Sequence, residues 1–110
     1  MSVFFSPEPK EETPQAVSRE DRQQRELFYA GRVQGVGFRY TVRSLAARFN
    51  VTGFVRNLRD GRVHLVVEGE TTEIDRFLHA IKNEMAGYIA EVKETIHPPT
   101  GRFQRFEIVH

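Results

Sequence analysis

Between Leu27 and Ile108 the apolar residues of this chain change period in a set order. Leu27 to Val33 reads as a strand, and Phe38, Val42, Leu45, Ala46 and Phe49 then recur at helical spacing. Val51 to Arg56 reads as a second strand. Asn57 to Arg62 is a short connection with Asp60-Gly61 as its hairpin signal. A third strand follows, with Val63, Leu65 and Val67 on one face and His64, Val66 and Glu68 on the other. Gly69 interrupts, Thr71 or Thr72 can cap the next helix, and Ile74, Phe77, Leu78, Ile81 and Met85 form its apolar stripe. Ile89 to Ile96 reads as a fourth strand, His97 to Gly101 as a turn, and Phe103 to Val109 as a last short strand.

Each helical segment has a single apolar stripe, so both helices must cover the same side of one sheet. The order β-α-β-β-α-β predicts an α+β fold. It is a ferredoxin-like sandwich, with an antiparallel sheet of four to five strands and two helices on one face. A length of 110 residues, 39% of them apolar and nine of them phenylalanine, suits one small two-layer core. Residues 1–26 differ in kind. Pro7, Pro9 and Pro14 break any helix, and Glu8, Lys10, Glu11 and Glu12 are charged. That segment is expected to be a flexible tail, an untethered terminus rather than one docked through Phe4 and Phe5, with the folded domain over residues 27–110.

The run Gly31-Arg32-Val33-Gln34-Gly35-Val36-Gly37-Phe38-Arg39-Tyr40 lies where the first strand meets the first helix. Its plain reading is a tight turn with a solvated arginine. Its chemical reading is an anion cradle: glycines let successive N–H groups point inward, the helix N-terminus adds unpaired donors, and Arg39 supplies a planar charged fork. Neither Gly-x-x-x-x-Gly-Lys-Ser/Thr nor the third glycine of the dinucleotide fingerprint is present, so a nucleotide is disfavoured. Asn57 has two open roles at this stage. It is a turn former, or an amide that reaches the glycine loop if strand end and loop share a side of the sheet.

His64, His79, His97 and His110 are scattered without metal-ligand spacing and are expected at the surface. No Ser/His/Asp set or carboxylate pair is suggested, and the Asn50-Val51-Thr52 sequon is read as accidental. The chain has no cysteine, which removes disulfides, thiolate zinc sites and a cysteine nucleophile. It also lacks an export signal or an apolar run long enough to span a bilayer. A cytoplasmic protein with no membrane association is expected. Residues 1–26 carry four Lys/Arg against six Asp/Glu, and the rest twelve against nine. That modest surplus suits a small anionic ligand and falls short of the basic stripe of a nucleic-acid binder.

Gly31 to Arg39, followed by Gly53-Phe54-Val55-Arg56-Asn57-Leu58 and Asp60-Gly61-Arg62-Val63, resembles the acylphosphatase family over about residues 27–110. The resemblance implies hydrolysis of acyl phosphates to a carboxylate and inorganic phosphate, with no metal and no cofactor. By position it makes Gln34, Gly35, Val36, Gly37, Phe38 and Arg39 the phosphate-binding loop. Arg39 matches the family's catalytic arginine, and Asn57 the asparagine that orients the attacking water. Leu58 departs from the threonine common there, and the N-terminal tail is extra. Related domains open larger carbamoyl-transfer proteins, but the absence of zinc-type cysteines favours a stand-alone, monomeric hydrolase. The expected partners are a small acyl phosphate and inorganic phosphate.

Overall fold

The computed structural model describes residues 21–110. Strand β1 (Arg22–Gly31) leads to helix α1 (Phe38–Ala46), and β2 (Val51–Asn57) and β3 (Val63–Glu70) form a hairpin. Helix α2 (Thr71–Met85), β4 (Ile89–His97) and β5 (Phe106–Val109) complete the chain. The sheet order is β4-β1-β3-β2-β5. The expected α+β sandwich is present, with one change: the sheet is mixed, because β5 lies parallel to β2 while every other pairing is antiparallel. The cause is topological. β4 sits at one edge and β5 at the other, so the chain crosses the whole sheet between them and re-enters in the direction of β2.

β1 begins at Arg22, five residues before the expected start, so residues 22–26 belong to the sheet and not to a tail. Their polar character hid this. Arg25 is buried because its guanidinium meets Asp75 of α2 and Glu94 of β4, each at 2.9 Å, and its Nε donates to Gln23 Oε1 at 2.8 Å. Residues 1–20 of the expected tail, Phe4 and Phe5 included, lie outside the described residues. α1 stops at Ala46 rather than running to Phe49, through a tightened last turn in which Arg48 and Phe49 donate to the carbonyls of Leu45 and Ala46. The amide of Asn50 then donates to Glu73 of α2 at 2.8 Å. Neither Thr71 nor Thr72 caps α2. Glu70 holds the cap position without a side-chain bond, and the Thr71 hydroxyl donates to the Asp21 carbonyl.

Both helices bury their predicted stripes against one face of the sheet. Phe38, Val42, Leu45 and Ala46 meet Ile74, Phe77, Ile81 and Met85 over Val55, Leu65 and Val67. β3 is central, and it is buried on its other face too, because the segment from Pro98 to Arg105 passes over that side as a strap. The expected turn at His97–Gly101 is the start of this crossing. Gly69, expected to interrupt, stays within β3.

Glu68, 1% exposed, holds the strap down. Its carboxylate accepts from Gln24 Nε2 at 2.7 Å, the Thr100 amide and hydroxyl at 2.8 and 2.7 Å, and the Gly101 amide at 3.0 Å. Beside it His64 is buried, not at the surface as expected. Its ring stacks on Phe28 at 4.6 Å, with Phe54 edge-on at 5.5 Å. Arg56 Nε donates to its Nδ1 at 3.0 Å. The proton of His64 therefore sits on Nε2, which donates to Glu26 Oε2 at 2.8 Å. His97, half-buried, meets the other oxygen of Glu26 at 3.1 Å. His79 and His110 are exposed, as expected.

Burial pushes the Glu68 carboxyl up, but the bonds from Thr100, Gln24 and Gly101 together outweigh it and hold the group below its ordinary value of 4.5. The His64 bond, opposed by burial and helped by His97, lowers Glu26 as well. Carboxyls lowered on folding stabilise the fold above their unfolded value and lose that contribution as pH falls through the folded one. Denaturant unfolding should therefore show stability declining below pH 4.5. Glu68→Gln should cost about 1–3 kcal/mol near neutrality and flatten the acid slope. An unchanged slope would show that Glu68 does not anchor the strap.

Candidate active site

The loop from Arg32 to Gly37 joins β1 to α1. Gly35 and Gly37 sit at φ 78° and 79°, in the left-handed region that costs an L side chain about 1–2 kcal/mol. A Cβ at either would meet nothing within 4 Å, so glycine is required here by backbone conformation and not by space. Gly37 is the N-cap of α1. No side chain caps that end, and the first turn carries no acidic residue. The positive end of the helix therefore faces the loop without a neutralising carboxylate.

A cavity of about 220 Å³ opens at this junction, lined by Val33, Gly35, Gly37, Phe38, Arg39, Tyr40 and Asn57. Larger hollows lie elsewhere, one of about 460 Å³ beside Arg43 and Phe49. The small one combines glycine backbone, a helix N-terminus, a guanidinium and a carboxamide. It brings Arg39 and Asn57 together from segments 18 positions apart in the chain. Val33 and Phe38 turn their side chains into the core, at 0% and 2% exposure. What they offer the cavity is backbone.

Gln34 and Val36 are in the loop but do not line the cavity. Val36 packs, half-buried, against the core. The side chain of Gln34 reaches the β2–β3 hairpin, where Nε2 donates to the Leu58 carbonyl at 2.8 Å and to the Arg62 carbonyl at 2.9 Å. That double bond locks the loop to the hairpin and puts Asn57 on the loop's side of the sheet.

Asn57 itself is not committed to the turn. The turn is closed by Leu58 N to Arg62 O at 2.8 Å and by Asp60, which accepts from the Arg62 amide and Nε at 3.1 and 3.0 Å. Asn57 Oδ1 is buried and accepts no hydrogen bond within the described structure. Such an orphan costs about 1–3 kcal/mol, which marks its carboxamide as placed for something other than the fold. Arg39, half-buried, donates from Nη1 to His110 Nδ1 at 3.4 Å. His110 follows β5, and its approach to Arg39 was not expected from the sequence, nor was Tyr40 at the cavity rim. Neither had a sequence signal, because both placements depend on how the last strand and the first helical turn are set in space. No described cluster of His, Asp or Glu is arranged to hold a metal.

Fold and site together define a ferredoxin-like domain with a small cavity at the end of its first strand, between a glycine loop, a guanidinium and a carboxamide. The family model described as Acylphosphatase matches residues 25–108, and the chain belongs to the acylphosphatase family. It is 47% identical over 58 residues to an acylphosphatase from Archaeoglobus fulgidus, an alignment covering 53% of this chain and 65% of that one, slightly under two thirds of its length. Against an acylphosphatase from Acaryochloris marina it is 38% identical over 80 residues, covering 73% of this chain and 86% of the relative. The crystal structure of acylphosphatase from Bacillus subtilis superposes with a TM-score of 0.73 at 33% identity, covering 80% of this chain and 99% of that one.

Gln34→Met keeps the length of the side chain and removes both bonds to the hairpin. It should cost about 1–3 kcal/mol of stability, the worth of two hydrogen bonds, since each carbonyl keeps a backbone donor within the turn. It should also weaken inhibition by inorganic phosphate, although Arg39 and Asn57 are untouched. Wild-type thermal stability and phosphate inhibition in this variant would remove the clamp from the account.

Proposed function

We propose that Arg39 and the loop amides from Gly35 onward hold the phosphoryl group of an acyl phosphate, with Gln34 tying that loop to the hairpin, while Asn57 directs a water at phosphorus. As a member of its family with loop and hairpin intact, the chain is an acylphosphatase, releasing a carboxylate and inorganic phosphate. The observation that carries the residue assignment is the shared cavity. An unneutralised helix end, a guanidinium and a carboxamide outside the turn's bonding converge on one cavity of about 220 Å³, roomy enough for a phosphoryl group and a water.

The chemistry asks for little more. A carboxylate leaving group has a conjugate acid of pKa about 4, so no general acid is needed near neutrality. Phosphoryl transfer relies on positioning and charge stabilisation, which amides and one arginine supply. The water attacks phosphorus as the P–O bond to the acyl oxygen breaks, and the bond's electrons leave with the carboxylate. With Oδ1 buried, the NH₂ of the Asn57 carboxamide is the group that meets that water, and by donating to its oxygen it fixes the direction of approach. No step requires a metal. Absence of cysteine suits a reducing cytoplasm, and the small charge surplus suits small anionic substrates better than nucleic acid. No described helix is long and apolar enough to cross a membrane.

Arg39→Ala should lower benzoyl phosphate hydrolysis about 10³-fold or more and abolish inhibition by inorganic phosphate. Arg39→Lys should also fail badly, because an ammonium cannot make the paired contacts of a guanidinium. Asn57→Ala should keep phosphate inhibition and lose about 10²–10³-fold in kcat. Full turnover in Asn57→Ala would sink its role, and loss of activity on adding a chelator would sink the metal-free mechanism.

A further inference from the structure

The phosphoryl group accounts for the glycine loop, Arg39 and Asn57, but an acyl phosphate has a second half. That half leaves on the side of phosphorus opposite the attacking water. Few groups around the cavity can receive it. Gly35 and Gly37 have no side chain, and those of Val33 and Phe38 are buried in the core. Tyr40 is different. It lines the cavity and leaves 56% of its surface exposed, the second most exposed of the large apolar side chains in the described structure.

So exposed a ring gains little from the core, and it stands at the rim of a polar pocket. It is held in place nonetheless. Tyr40 lies in the first turn of α1, and the guanidinium of Arg43, one turn on, stands over its ring at 5.7 Å from the centroid. The cation packs on the ring while more than half of the side chain stays open to solvent. The first turn of α1 has no acidic residue to repel the departing carboxylate.

We propose that Tyr40 is the acyl-group platform of this site and selects for acyl phosphates whose acyl part is a flat aromatic group over short alkyl ones. The proposal rests on the cradle being the acyl phosphate site. With the phosphoryl group seated against Arg39, the acyl part extends to the cavity rim, where Tyr40 is the exposed aromatic side chain. An aryl group there can stack on the tyrosine ring, whereas an acetyl group gains little from it. The phenol oxygen is not needed for stacking, so the ring is what carries the preference.

Tyr40→Ala and Tyr40→Phe, compared with benzoyl phosphate and acetyl phosphate as substrates, test this. Tyr40→Ala should raise KM for benzoyl phosphate about five- to tenfold with kcat little changed. KM for acetyl phosphate and inhibition by inorganic phosphate should stay within about twofold, the margin left by a contact those ligands do not make. Tyr40→Phe should behave as wild type. Equal losses on both substrates, or an unchanged KM for benzoyl phosphate, would overturn the platform while leaving the cradle in place. Hydrolysis that survives Arg39→Ala would instead overturn the cradle, and the platform with it.

Discussion

The side-chain amide of Gln34 is the contact on which the site depends. Two loops from different parts of the chain must lie within a phosphate's breadth of each other, and neither is long enough to hold that position alone. One NH₂ group bonding two carbonyls, Leu58 and Arg62, sets the distance between them. It acts on backbone rather than on side chains, so the geometry it fixes does not vary with rotamers. Arg39 and Asn57 are then brought together by their neighbours, without having to touch.

The sheet supplies the rigid base for that contact. β3 is buried on both faces, by helices on one side and by the strap on the other, which a four-stranded sheet with one open face would not provide. Glu68 is the fastening on the strap side, and its four donors show why a carboxylate can stand at a buried central position. The same crossing delivers β5 to the far edge beside β2, and β5 in turn brings His110 to Arg39. Stability on the helix-free face and order at the Arg39 guanidinium are thus linked through one short segment.

The sequence was most legible where the physics is local. Both helical stripes, the Asp60-Gly61 hairpin and the glycine turn follow from spacing and backbone freedom, and the structure has them close to where spacing puts them. What spacing could not show were contacts made across the sheet. Arg22 to Glu26 look like loop because their polar side chains are satisfied by Asp75, Glu94, His64 and Glu68, which are far off in sequence. His64 reads as a surface residue until Phe28 and Phe54 enclose it. Gln34 reads as one more amide of the loop, and only the folded hairpin shows its side chain as the clamp. Asn57 is the instructive case. Its residue type fits a turn, yet its buried Oδ1 takes no part in the turn's hydrogen bonds.

The central claim is that the glycine loop, the α1 N-terminus and Arg39 form one anion cradle with Asn57 facing it. A crystal structure of the protein with inorganic phosphate tests this directly. The anion should lie against the amides of residues 35–39 and the Arg39 guanidinium, with the Asn57 carboxamide one water away. Phosphate found instead on the arginines of the helix-free face, with the loop empty, would contradict the account.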